Sequence, residues 1–184
     1  MTLTHRARRT VAATTLAALT LGIAGPALAE SVVLPDPADA TASLSDIRKV
    51  KADHGDARLF VKVSFAELEP ESDGGPSQMS VFVDTDGSRR GPEFRLGTGL
   101  QSGSDYQLVR MKDWQVVSGP LSCQHSLVLD FGANAAKARF GRACLGNPEE
   151  VRVGVKMVDL FDGSHPVTDW LKKPRGWTRW LSAG

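Results

Sequence analysis

The residues with the most direct claim to chemistry are Asp84 and Asp86, in the run Asp84-Thr85-Asp86-Gly87-Ser88. Hard cations take several oxygen ligands, and two carboxylates two positions apart on a turn can face one point. An EF-hand is excluded, because counting from Asp84 puts Arg89 where its glycine belongs and Arg95 where its bidentate acid belongs. A metal would need further donors, and Asp36, Asp39, Asp46 and Glu93 are the acids that could supply them. The simpler reading is a hairpin turn whose Asp and Gly serve turn geometry. No cofactor is expected, and calcium is the one ion this pattern could take.

A second cluster lies near the C-terminus. Trp170, Trp177 and Trp180, three of the four tryptophans, stand beside Lys172, Lys173, Arg175 and Arg179. Such indoles most often close a core, since each can bury about 150–250 Å². Their other use is to stack on a sugar ring or to form an interface. On that second reading Trp114, Tyr106, Trp170 and Trp177 are the candidate ligand-binding residues.

Other chemistries lose support. A serine hydrolase needs a histidine base, and beyond His5 the chain offers only His54, His125 and His165, none beside a Gly-x-Ser-x-Gly elbow. His-Glu-x-x-His is missing too. A pair of carboxylates for glycosidic cleavage is defined by spatial separation, so it stays open as a third, enzymatic reading. Cys123 and Cys144 are the only cysteines. Two distant sulfurs suit neither a zinc site nor a redox motif, and in an oxidising compartment they predict one disulfide.

That compartment is indicated by the first 29 residues. Met1 to Thr10 carries Arg6, Arg8 and Arg9 and no acid, Val11 to Ala24 is apolar, and Ala27-Leu28-Ala29 fits a signal-peptidase cut that would leave Glu30 first. The apolar run is too short to span a bilayer, so a released product is expected rather than a membrane anchor. Of 22 Lys+Arg and 21 Asp+Glu in the chain, three basic residues leave with that segment, giving a formal charge of −2. Bulk electrostatics therefore speak against nucleic-acid binding.

The elements that must position these groups are strands. Leu59, Val61, Val63 and Phe65 alternate with Arg58, Lys62 and Ser64, and Val151, Val153, Val155 and Met157 repeat the pattern, as do Leu127, Leu129 and Phe131. Shorter candidates are Ile47 to Lys51, Gln78 to Asp84, Phe94 to Leu100, Tyr106 to Lys112 and Trp114 to Ser118. No long window has a helical period. Ala133 to Ala138 is the best helical chance, or else the start of a strand ending near Phe140. Ser31 to Ser43 reads as an extended lead-in, with order beginning near Leu44. The expectation is an all-β chain: signal peptide 1–29, lead-in 30–43, and one antiparallel β-sandwich of jelly-roll type over 44–184.

Asp36-Pro37-Ala38-Asp39, then Ser45-Asp46-Ile47-Arg48-Lys49-Val50, the strand Leu59 to Val63, and Val81-Phe82-Val83-Asp84-Thr85-Asp86-Gly87 follow one another in an order that resembles secreted β-sandwiches of the DOMON and family-9 carbohydrate-binding-module type. The resemblance covers about a third of the chain after residue 29, and its motifs are short. It implies a binding domain, often for sugars and in some branches for haem, without catalysis. Haem would need a paired Met and His, and Met157 alternates with valines as a core residue does. The stretch Phe140 to Pro148 also looks like small secreted actinobacterial proteins. The function expected is a secreted, monomeric, non-catalytic domain that binds an extracellular carbohydrate. The alternative is an extracellular protein-interaction module using the Trp-rich basic C-terminus.

Overall fold

The computed structural model describes residues 29–72, 75–160 and 165–184. The predicted export segment, apart from Ala29, lies outside them. Among the described residues no helix is long and apolar enough to cross a membrane.

Two antiparallel sheets form a β-sandwich. The first contains β1 (Glu30–Pro35), β2 (Ile47–His54) and β3 (Arg58–Phe65). The second is built on β4 (Ser77–Asp84), β5 (Phe94–Gly99), β6 (Tyr106–Lys112) and the two-residue β7 (Gln115–Val116). The chain then returns to the first sheet with β8 (His125–Asp130) and β9 (Ala135–Gly141), and to the second with β10 (Glu150–Asp159), β11 (Val167–Trp170) and β12 (Leu181–Ser182). The strand orders are β1-β2-β3-β9-β8 and β11-β10-β4-β5-β6-β7, with β12 also paired to β10.

Alternation decides which faces meet. Leu59, Val61, Val63 and Phe65 of β3 and Val151, Val153, Val155 and Met157 of β10 are buried, and their apolar rows face each other across the interior with Ile47, Met79, Leu96, Leu108 and Phe140. Fully burying one such side chain contributes about 1.5–3 kcal/mol, so these rows fix the register of both sheets.

Two elements differ from the sequence expectation, and a third settles a choice the sequence left open. Glu30–Pro35 is an edge strand in register with Lys49 to His54, so order begins well before Leu44. Its backbone pairs although Pro35 and the following Asp36 and Pro37 mask any period, and its row of Val32 and Leu34 is only half-buried. The alanine-rich stretch becomes β9 rather than a helix, because it is too short to hold a helix alone and finds a ladder on each side, to β3 and to β8. Trp114 belongs not to a strand but to the two-residue turn between β6 and β7, where Asp113 and Trp114 both have positive φ, 50° and 67°.

Cys123 and Cys144 form a disulfide with Cα atoms 5.4 Å apart, which closes the open end of the β8–β9 hairpin. His54 ties the sheets together elsewhere. Its ring is fully buried, and Nδ1–H donates to the Leu181 carbonyl at 2.9 Å. Nε2 has no partner. Burial, with the nearby charge of Arg142, holds the imidazole below its usual value of 6.5 despite the Leu181 bond. The unfolded chain therefore takes a proton that the folded chain refuses, and the stability contributed above pH 6.5 is lost as pH falls toward the lowered value. Measured by urea unfolding as the difference in stability between the wild type and a His54→Gln variant, this contribution should fall between pH 7 and 5.5 by up to about 1.4 kcal/mol per pH unit. Parallel pH profiles of the two proteins would refute the assignment.

Candidate functional site

The second sheet turns a different row outward. On β4 these are Ser80, Phe82 and Asp84, and opposite them on β10 stand Lys156, Gly154 and Arg152. Asp84 is fully buried, and its Oδ2 accepts from Arg152 Nε at 2.8 Å and Nη2 at 2.6 Å. Its Oδ1 accepts from the Asp86 N–H at 3.2 Å. Asp86 in turn takes the Ser88 N–H and hydroxyl and pairs with Arg89, and the Ser88 bonds hold its carboxyl below the usual range. Thr85 bonds to Glu93, whose carboxyl is pushed up by burial. The predicted metal pair Asp84 and Asp86 thus sits in one turn, with each carboxylate engaged by neighbouring protein groups.

The arginine that neutralises Asp84 carries the aromatic cluster. Its guanidinium lies 5.0 Å from the Trp177 ring centroid and 4.8 Å from that of Trp180. These indoles arrive because β11 and β12 flank the same edge of β10 at its two ends, and residues 171–180 bulge outward between them. Leu171 N–H and Thr178 N–H donate to the carbonyls of Val155 and Val153, which pins the bulge to the edge it leaves. Gly154 makes the landing place: a Cβ there would stand 2.9 Å from the Gly176 carbonyl oxygen and 3.1 Å from the Trp177 ring.

Phe82 is the floor. Trp170 stacks on it at 5.7 Å with 14° between the planes, and Trp114 meets it edge-on at 5.3 Å. Trp114 also approaches Trp170 at 6.0 Å and Trp177 at 5.6 Å. Lys156 stands over Trp170 and Arg175 over Trp114. Four tryptophans from two separate parts of the chain therefore share one outer face, all partly exposed. They close over the back of a sheet, not over the core between the sheets. Trp114, Lys172 and Arg175 all hold left-handed backbone conformations, which cost energy in non-glycine residues and cluster at binding sites.

Tyr106 is not part of this group. It stands at the start of β6 and packs edge-on against His125 at 5.7 Å. Trp180, which the sequence reading left out of the ligand set, joins the group and also walls an open cleft of about 890 Å³ with Thr85, Asp86, Arg142, Glu149 and Ser182. The signal for it was its place beside Trp177 in the same Trp-rich basic stretch. The chain matches no family model, no curated protein and no solved structure.

Proposed function

We propose that the protein is an exported, non-catalytic binding domain, released after cleavage behind Ala29, whose ligand is an extracellular carbohydrate. The observation that carries this reading is the outward-facing group of Trp114, Trp170, Trp177 and Trp180 beside a cleft lined with carboxylates, hydroxyls and Arg142. Indoles supply apolar area at small entropic cost, and the cleft supplies hydrogen-bonding groups for sugar hydroxyls. Arg175 and Lys156 lie on the indoles without being used up by Asp84, so chains bearing carboxylate or sulfate groups are favoured over neutral ones. The weak resemblance to family-9 carbohydrate-binding modules and DOMON domains points the same way.

Retention on insoluble polysaccharides and tryptophan quenching by soluble ones test the reading. Acidic glycans should quench more strongly than neutral ones, and added salt should weaken the effect. Trp170→Ala should weaken binding about tenfold or more. No retention and no quenching across a panel of both kinds would end it. One feature favours a protein partner instead: Val116 and Val117, 45% and 58% exposed, lie at the open edge strand β7 beside Trp114. An added strand from another protein would pair there, and co-purification from culture medium would reveal it.

A further inference from the structure

We infer that Asp36, Asp39 and Asp169 form a calcium site, separate from the aromatic face, which clamps the two sheets together at one end of the sandwich. Each residue offers a carboxylate oxygen, and the three oxygens lie within 4.8 Å of one another. Calcium binds oxygen at about 2.3–2.6 Å, so a single ion reaches oxygens about 4.6–5.2 Å apart even when they stand on opposite sides of it. Magnesium demands a near-ideal octahedron and usually keeps several waters on one or two carboxylates, so three carboxylates from separate segments suit calcium's flexible coordination better.

The cluster is not a solvated acidic patch. Asp36 is only 9% exposed and Asp169 only 3%. Oδ1 of Asp36 accepts from the Lys172 N–H, and its Oδ2 is buried with no hydrogen-bond partner. A buried carboxylate oxygen left bare in a fold is costly unless something positive meets it. Asp169 accepts from the Ile47 N–H at 2.7 Å through Oδ2, so it too is held in place by backbone. Asp46, nearly fully buried, adds a fourth acid nearby and is balanced by Arg48 at 2.8 Å. Lys172, exposed, is the other cation in range.

The placement explains what such an ion would do. Asp36 follows the last residue of β1 in the first sheet, Asp46 directly precedes β2, and Asp169 lies in β11 of the second sheet. An ion held by Asp36 and Asp169 would fasten the N-terminal strand to the strand that launches the Trp-bearing bulge.

The test is a pair of thermal melts and a calorimetric titration with calcium chloride on the protein lacking residues 1–29. Calcium at about a hundredfold its dissociation constant should raise Tm by roughly 5 °C or more over the same protein in chelator. Asp39→Asn, at an exposed position, should keep the fold and weaken calcium at least tenfold. Asp169→Asn should be at least as stable as the wild type in chelator, because one crowded charge is gone, yet gain little from calcium. A merely structural Asp169 predicts a loss in both conditions instead. Absence of heat and of a Tm shift, or a shift of full size in both variants, would overturn the site. An equal response to magnesium would overturn the choice of calcium. Glycan binding is read separately, so failure here leaves the aromatic face untouched.

Discussion

Replacing Arg152 with methionine should destabilise the fold by about 3 kcal/mol, the lower end of what breaking a buried ion pair costs. Asp84 has no solvent-exposed surface, and two of its hydrogen bonds come from that guanidinium. Without Arg152 a buried carboxylate would keep only the Asp86 N–H. The arginine side chain is 28% exposed, so solvent already shares its charge, which is why the upper end of the range is not expected. The double variant Asp84→Asn with Arg152→Met should recover much of the loss, because no unpaired charge is then left behind. Urea unfolding of the two single variants and the double gives the coupling. A loss below 1 kcal/mol for Arg152→Met would show that the pair is not what anchors Trp177 and Trp180.

Removing the disulfide should cost a similar amount through a different route. Cys123 and Cys144 are 21 positions apart, and closing a loop of that size restricts the unfolded chain by about 3 kcal/mol. The Cα separation of 5.4 Å lies within the usual range, so the native geometry accepts the bond. The double Cys→Ser variant should still fold, since β8 and β9 keep six residue pairs from His125 with Phe140 to Asp130 with Ala135. Its urea midpoint should fall and the slope should rise, because the unbridged unfolded chain exposes more surface. An unchanged midpoint would mean that the hairpin alone already sets the unfolded-state entropy.

The core was legible because alternation is a local signal. Val151, Val153, Val155 and Met157 announce a buried face whatever strand lies beside them, and Leu59 to Phe65 does the same. β1, β11 and β12 were not legible for the same reason. β1 carries Val32 and Leu34 in an unfavourable context of Pro35, Asp36 and Pro37, and β11 and β12 are too short to show a period. The aromatic face was legible in composition and not in geometry. Trp170 and Trp177 were visible as a group with cations, but their meeting with Phe82 and Trp114 depends on the pairing of β4 with β5 and β10 and on a bulge that no periodicity encodes. Gly154 was the one local clue. It interrupts the outward row of Arg152 and Lys156 with a residue that has no side chain, and something must lie over it. Tyr106 was grouped with the tryptophans on residue type alone, and its place near His125 shows the limit of that argument. Asp36 and Asp39 were visible as possible metal donors, but Asp169 escaped because it is distant from them in sequence.

The most direct test of the account is to record the indole N–H resonances of the four tryptophans during titration with an acidic oligosaccharide. Binding on the outer face of the second sheet predicts that Trp114, Trp170 and Trp177 shift in a saturable way while backbone signals around Tyr106 and His125 stay still. Shifts confined to Lys51, Lys62 and Lys137, which lie side by side across the first sheet, would contradict it, as would a titration in which no indole moves.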